Sequence, residues 1–403
     1  MTVPSSSVER SENPTARNNG FMLAAGGPLY RLLLKARLIS PSMQLLQRRV
    51  LLFVAVAWLP LLALSLAEGR AVGGVAIPFL HDVETHARLL LALPLVLAAE
   101  VTMQRRIAEM LPQFEGRGLV TAEAAPRFHE ALASAGRLRD SSVAEIVILA
   151  LVAATTVFAS QQASFMPASA WYADNDGSAI QLTRAGWWFV HFSVPLTQFL
   201  LFRMYFRLFI WARLLRQAGR LPLKLAPAHP DCAAGIGFLD DTVAAFVPVV
   251  LAHSIIASGW IASRVLFDGR DAHQFLPEMV AIVLVLVAVV LLPLCQFAPR
   301  LIQLRRDGIA DYGALAASYV HQFDRKWVHA GAASGEVLLG NADIQSLADM
   351  SGSYETVDDM QSVPFDRRVV LQVTAAAVLP FLPLVLTVVS PVILIKRLAE
   401  VLL

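Results

Sequence analysis

Long apolar runs separated by shorter polar and charged stretches dominate the pattern of this chain. A helix needs roughly 20 residues to cross the hydrocarbon core of a bilayer. On this criterion the pattern predicts seven membrane-spanning helices. The predicted spans are 50–67, 88–104, 143–160, 187–212, 242–265, 279–297 and 369–395. The last one contains Pro380, Pro383 and Pro391, so we expect it to kink or to re-enter the membrane.

The segments before and between the first spans have a different pattern. Residues 1–28 begin with a Ser-, Pro- and Asn-rich stretch and predict a disordered cytoplasmic tail. Residues 29–49 mix Leu with Arg and Lys, which predicts an interfacial amphipathic segment. Within the loop 105–142 we expect a helix from Thr121, a suitable N-cap, to about Arg139.

The longest segment outside the predicted spans, 298–368, predicts a small helical block. Helical periodicity covers 299–329, and the stretch NADIQSLADM predicts a further helix with Asn341 or Asp343 as its cap. The block is too short for a nucleotide-binding α/β domain of ordinary size. The predicted fold class is therefore all-α: a polytopic helical membrane protein with about seven transmembrane helices in 50–297 and 369–403 and a small helical cytoplasmic block.

Composition and charge support this class and orient it. Of 403 residues, 56% are hydrophobic and only 16% are charged, which excludes an ordinary cytosolic enzyme and a disordered chain. The net charge of +2 indicates no nucleic-acid partner. Of the 33 Lys and Arg residues, 26 lie in 1–49, 105–142, 203–224 and 298–368, which the seven spans place on one side. Cytoplasmic loops carry the excess of cations, so the amino terminus is predicted to be cytoplasmic.

The fourth span is predicted to continue as one long helix from Trp187 to Arg220. Five arginines lie along its cytoplasmic half. They are Arg203, Arg207, Arg213, Arg216 and Arg220. A voltage sensor would need a regular ladder of cations inside the membrane, and this spacing is irregular. We therefore expect these side chains to extend toward the lipid headgroups.

Polar side chains inside the predicted spans are candidates for a permeation or proton path, because such groups are costly in lipid. The candidates are His253, Ser254, Ser258, His191, Gln198 and Glu100. The alternative for His253 is a neutral imidazole that is hydrogen-bonded to a neighbouring helix. His229 and Asp231 form a candidate cytoplasmic mouth, and their alternative role is a turn that caps the following helix.

A second polar group, the outer cluster, lies at the start of the second span on the opposite side. It comprises His81, Asp82, Glu84, His86 and Arg88. Imidazoles and carboxylates bind divalent metals, but His81 and His86 lie about 140° apart around a helix. We expect no catalytic metal here, and a helix-capping network is the alternative. The sequence contains no Walker A, GxSxG or GxGxxG motif with an acidic residue after it, so it assigns no catalytic residue and no cofactor.

Four stretches together resemble a family of uncharacterised multi-pass inner-membrane proteins of Gram-negative bacteria. They are FLHDVETHARLLLALPLVLAAE (79–100), LAPAHPDCAAGIGFL (225–239), LLGNADIQSLADM (338–350) and LPFLPLVLTVVSP (379–391). Ala233 and Ala234 depart from a more Gly-rich pattern in the second stretch. The resemblance implies a location in the bacterial inner membrane, and it implies no activity.

Three classes of function fit these observations. The first is an ion or small-solute channel or transporter, lined by the fourth, fifth and interrupted seventh spans. The second is a membrane sensor, scaffold or accessory subunit that docks a cytoplasmic protein through 298–368. The third is a membrane enzyme that acts on lipid. It would use His229 and Asp231, or the outer residues His81, Asp82, Glu84 and His86. Membrane lipid and further copies of the chain are the other expected partners.

Overall fold

The structure is a computed structural model, and it describes residues 23, 46–161, 169–175, 180–329 and 340–388. The predicted tail, most of the predicted interfacial segment and the end of the last predicted span lie outside the described residues. The described part is almost entirely helical, which confirms the all-α class.

The helices and strands follow one another in simple chain order. The first part forms α1 (Leu46–Ala67), α2 (Val83–Gly116), α3 (Ala125–Arg139) and α4 (Ser142–Gln161). The middle part forms an antiparallel sheet of β1 (Ser169–Ala170), β2 (Ala173–Asn175) and β3 (Ile180–Leu182), and then α5, which comprises Arg184–Trp188, Phe189–Ser193 and Val194–Gly219. The last part forms α6 (Val247–Phe267), α7 (Leu276–Leu291), α8 (Ala298–Phe323), α9 (Ala342–Asp358), α10 (Arg367–Val378) and α11 (Leu382–Val388).

Short stretches of tighter or wider helix interrupt or join these elements. The 3₁₀ turns are Phe79–His81, Gly237–Ala245, Ala272–Phe275, Leu294–Phe297 and Leu379–Phe381. The π-helical turns are Ala87–Ala92 inside α2, Phe189–Ser193 inside α5 and Asp324–His329 after α8. The π turns of α2 and α5 both pack against α1.

Five helices of the described residues are long and apolar enough to cross a membrane. They are α1, α2, α6, Ala272–Leu291 with α7, and Arg367–Val385 with α10. Ala125–Arg139 and Ser142–Phe158 form a sixth candidate, bent by 46°. The predicted span 187–212 lies in α5, which is not among these candidates, since His191, Gln198 and two arginines lower its mean hydropathy. Five or six such helices are thus shown, against the seven predicted.

Helix α2 lies at the centre of the molecule and packs against α1, α5, α6 and the turn Gly237–Ala245. Its buried side chains recur every three or four residues, as on one face of a helix. Leu93, Leu97, Met103 and Ile107 are fully buried in this stripe. Glu100 occupies the same stripe, so the helix directs a carboxylate into the interior of the bundle.

The outward faces of the peripheral helices are apolar. Ile146 and Val147 of α4 and Leu284 and Val285 of α7 are each more than half exposed. Extended apolar surface of this kind is unusual on a water-soluble monomer. It is typical of helices whose outer side contacts lipid.

Several predicted boundaries outside the spans agree with the structure. Helix α5 continues unbroken to Gly219, and α8 with its π turn covers the predicted 299–329. The Asn341 side chain caps α9 by accepting a hydrogen bond from the Asp343 N–H at 2.8 Å. Helix α3 begins only at Ala125, because the Thr121 side chain caps a preceding turn.

The last predicted span is interrupted, as its prolines predict. Helix α10 ends at Val378, and the 3₁₀ turn Leu379–Phe381 separates it from α11. Proline cannot donate the helical hydrogen bond, so Pro380 and Pro383 explain the break. Pro391 lies outside the described residues.

Candidate functional site

Three helices meet at the carboxylate of Glu100. Arg207 of α5 donates from Nη1 to Oε1 of Glu100 at 2.7 Å. Arg49 of α1 donates from Nη2 to Oε2. The Nη1 atom of Arg203 lies 3.5 Å from Oε1. We call these four side chains, Arg49, Glu100, Arg203 and Arg207, the arginine cluster.

The arginine cluster is shielded from solvent. The exposed fractions of its four side chains lie between 2% and 6%. The prediction that Arg203 and Arg207 extend toward lipid headgroups is therefore wrong, and Arg49 belongs to α1 rather than to an interfacial segment ending at residue 49. A buried carboxylate without a counter-charge is strongly destabilising, which explains why the cations turn inward to Glu100.

The cluster brings three guanidinium groups to one carboxylate. Arg203 and Arg207 also have interactions beyond this carboxylate. Arginine does not lose its proton inside a protein, so all three groups stay charged at any physiological pH. The Nε of Arg49 is buried and has no hydrogen-bond partner among the described residues. Chemically, the cluster is a buried carboxylate held by charged N–H donors from two helices.

Local sequence explains how α5 presents its two arginines together. Arg203 and Arg207 are one turn apart, so both side chains lie on one face of the helix. The buried residues Leu200, Met204 and Trp211 belong to the same inward side. That side packs against α2, which carries Glu100.

The other residues of the predicted path have different partners. The Nδ1 of His253 lies 2.8 Å from the hydroxyl oxygen of Tyr205. The amide oxygen of Gln198 accepts a hydrogen bond from the Thr155 hydroxyl at 3.3 Å. His191 is exposed and stacks on Trp187. Within the described part of the chain, these contacts do not join Glu100, Gln198 and His253 into one hydrogen-bonded path.

The two serines near His253 also differ from each other. Ser258 donates to the backbone carbonyl of Pro380 at 2.6 Å, so it ties α6 to the interruption after α10. Ser254 is fully buried, and its hydroxyl has no partner among the described residues. Of these two serines, Ser258 is therefore the one whose hydroxyl links α6 to another segment of the described chain.

The predicted cytoplasmic mouth is a tight turn built around Asp231. Its carboxylate accepts backbone hydrogen bonds from Ala233 at 2.9 Å, Gly235 at 3.0 Å and Gly237 at 2.9 Å. The Nδ1 of His229 lies 2.8 Å from the same carboxylate. Burial alone would raise the pKa of Asp231, but these donors and His229 together lower it. Gly235 has a φ of +94°, which only glycine adopts without strain.

The outer cluster is organised around Asp82, which is 5% exposed. Its carboxylate accepts hydrogen bonds from the backbone N–H of Thr85 at 3.1 Å and the hydroxyl of Thr85 at 2.6 Å. The indole Nε1 of Trp171 donates to it at 2.9 Å. Asp82 thereby caps the start of α2 and holds the β1–β2 turn against it.

The remaining outer residues bind near neighbours on the same helix. The Nδ1 of His86 lies 2.7 Å from the backbone oxygen of Asp82. Arg88 donates to Glu84 at 2.7 Å, and His81 is exposed. In the ranges that the structure describes, no group of three or more His, Cys, Asp or Glu side chains is placed to hold a metal ion.

Sequence reasoning missed Arg49, Trp171 and Tyr205 as partners of the candidate residues. One signal for the arginine cluster was present: Glu100 lies in phase with Leu97 and Ile107, and a buried acid needs a cation. Among the cations inside the predicted spans, only Arg203 and Arg207 form a pair one helical turn apart. No comparable signal pointed to Trp171, which lies in a short irregular connection.

Comparison with known proteins identifies no relative for this chain. No family model, no curated protein and no solved structure matches it.

Proposed function

We propose that this chain is an ion or small-solute channel or transporter of the inner membrane of a Gram-negative bacterium. It belongs, in this proposal, to the family of multi-pass inner-membrane proteins that its four stretches resemble. The main observation in support of this proposal is the arginine cluster. Ionisable groups inside a helical membrane bundle are energetically costly and usually have a functional role. Glu100, one of the predicted path residues, is at its centre.

Seven crossings are part of this proposal. They are the five apolar helices, the bent pair of α3 and α4 counted as one span, and α5. The objection to α5 as a span is its arginine content. Arg203 and Arg207 do not face lipid but are buried with Glu100, so they do not expose charge to the hydrocarbon. Helix α5 is also long enough to cross a bilayer.

The proposed orientation places the amino terminus, the 298–368 block and the arginine cluster toward the cytoplasm. The distribution of Lys and Arg supports it. Reporter fusions at residues 20 and 335 test it, and both are expected to give a cytoplasmic signal. A periplasmic signal from either fusion contradicts the orientation.

Flux measurements test the proposed activity. Purified protein reconstituted in vesicles is expected to conduct or transport at least one ion from a panel of protons, potassium, chloride and phosphate. Glu100→Gln is expected to reduce the flux, whereas Glu109→Gln, which alters an exposed pair with Arg105, leaves it unchanged. No flux of any tested ion from folded wild-type protein contradicts the proposal.

A second candidate function is a membrane scaffold or accessory subunit. It is favoured by apolar side chains that are exposed on α8, its π turn and α9, although these helices carry many charges. These side chains are Leu315, Val320, Val328 and Ile344. Cross-linking in native membranes through a reactive group at residue 315 tests it. A cytoplasmic protein captured there, together with absence of flux, favours this function over transport.

A further inference from the structure

Three arginines near the carboxyl end of α5 differ from the two that are buried with Glu100. Arg213 is half-buried, and Arg216 and Arg220 are exposed. Among the described residues, no hydrogen bond or ion pair involves the guanidinium group of any of the three. The sequence around them supplies no acid either, because residues 177–230 contain no Asp or Glu. Three cationic side chains are therefore available to an anion from outside the chain.

These arginines continue a stripe of aromatic residues along one side of α5. Members of the stripe recur every three or four residues, which places them within about 80° of one another around the helix. The stripe comprises Phe202, Phe206, Phe209, Arg213, Arg216 and Arg220. Phe209 is 56% exposed, and its ring stacks on that of Phe206. One outward face of α5 is thus apolar in its first half and cationic in its second half, and we call it the α5 outer face.

The change from aromatic to cationic residues occurs at the depth where α2 also becomes cationic. The starts of α2 and α5 both contact Trp171, and Arg207 contacts Glu100 further along, so the two helices run in the same direction. On α2 the exposed arginines begin at Arg105, about 7.5 Å beyond Glu100. On α5 they begin at Arg213, about 9 Å beyond Arg207. A shared onset of exposed cations is typical of the cytoplasmic edge of a membrane.

We propose that the α5 outer face binds an anionic phospholipid, with the headgroup phosphate on the three arginines and the acyl chains along the phenylalanines. Guanidinium groups present forked N–H donors that match phosphate oxygens, and anionic lipids attract cations at the membrane surface. A free phosphate ion would use the arginines but not the exposed aromatic rings, so the face favours a lipid. The inference adds a lipid partner to the proposed function and rests on it in one respect, that α5 crosses the membrane.

Thermal unfolding of the purified full chain in a neutral maltoside detergent tests the proposal. A phosphatidylglycerol and a phosphatidylcholine with the same acyl chains are titrated separately at constant ionic strength, and inorganic phosphate forms a third series. We expect a saturable rise of the melting temperature with phosphatidylglycerol alone, because a ligand that binds only the folded state stabilises it. An equal rise with inorganic phosphate would indicate a simple anion site and contradict the proposal.

Variants at exposed or half-buried positions locate the effect. Arg213→Gln is expected to weaken binding by about fivefold, the contribution of one cation at an anionic membrane surface. Replacing Arg213, Arg216 and Arg220 together by Gln is expected to weaken it by more than about tenfold, whereas replacing all three by Lys keeps the charge and most of the binding. Arg325→Gln, at an exposed position in the π turn after α8, is the matched single control and is expected to bind as wild type does.

Two further results overturn the proposal. One is an equal response of wild type to phosphatidylglycerol and phosphatidylcholine. The other is an equal affinity for phosphatidylglycerol in wild type, Arg213→Gln and the triple Gln variant. Flux measured on the same preparations separates this inference from the transporter. A selective lipid response without flux supports the α5 outer face and contradicts transport, whereas flux without lipid selectivity contradicts the lipid site alone.

Discussion

Helix α2 carries two buried carboxylates, and their surroundings differ in kind. Asp82 at its start accepts hydrogen bonds from neutral donors on Thr85 and Trp171. Glu100, about 27 Å further along the helix, is surrounded by three guanidinium groups. The donors of Asp82 are all local or in the adjoining strand turn, so that site is complete in itself. The surroundings of Glu100 exceed what one carboxylate needs.

The comparison separates a structural role from a functional one. A buried acid that only has to hold elements together needs enough donors to replace its water, and Asp82 has them. Three buried cations around one acid add a cost that holding helices together does not require. This difference supports the proposal that function depends on Glu100 rather than on Asp82.

The largest expected effect comes from Glu100→Gln. The change keeps the shape of the side chain but leaves three buried arginines without their shared anion. Loss of one partner of a buried ion pair typically costs about 3–5 kcal/mol, and we expect this range in denaturation in detergent. Glu109→Gln, in an exposed pair with Arg105, is expected to cost less than about 1 kcal/mol. Similar values for the two variants would remove the distinction between the sites.

The next largest effect is expected from Asp82→Asn. The variant replaces a carboxylate that accepts three hydrogen bonds by an amide with a single acceptor oxygen, so one or two buried donors lose their partner. The expected loss of stability is about 1–3 kcal/mol, and flux is unchanged. Asp271→Asn, at the exposed cap of the turn Ala272–Phe275, is the control with little effect. Loss of flux in folded Asp82→Asn would show that the outer cluster takes part in function.

Asp231→Asn probes a carboxylate held by backbone donors and gives a pH-dependent result. The folded state lowers the pKa of Asp231, so the ionised group contributes stability above its unfolded pKa of about 3.9. That contribution is lost as the pH falls through the lower folded pKa. We expect wild type to exceed the variant by about 1–2 kcal/mol between pH 6 and 8 and the difference to shrink below about pH 4. A difference that stays constant down to pH 3 contradicts this assignment.

The smallest effect is expected from Asp174→Asn. Arg70 donates two hydrogen bonds to Asp174 at 2.8 and 2.7 Å, but the Asp174 side chain is 49% exposed. Exposed pairs contribute at most about 1 kcal/mol and are screened by salt. The melting temperatures of wild type and variant are expected to converge as salt is added. An effect as large as that of Asp82→Asn would mean that this pair is shielded from water.

The pattern of apolar residues predicted the helical class and most helix positions because each signal is local. It also singled out Glu100, since an acid within an apolar run is conspicuous in the sequence. It did not predict that Arg49, Arg203 and Arg207 surround this acid. That arrangement depends on which helices pack together, and the spacing along one helix does not determine this. The strands around Trp171 are only two or three residues long, which is too short to leave an alternating pattern.

The π turns in α2 and α5 change the direction in which side chains point at the two ends of each helix. A π turn inserts one residue into a helix, and one residue corresponds to about 100° of rotation. Ala87–Ala92 lies between Asp82 and Glu100, and Phe189–Ser193 lies between the strand turn and the arginines of α5. In each helix, the side chains after the π turn are therefore rotated about the helix axis relative to those before it, at the point where the helix packs against α1. The outer end keeps the orientation that its cap and strands require, while the inner end turns its charged side chains toward one another.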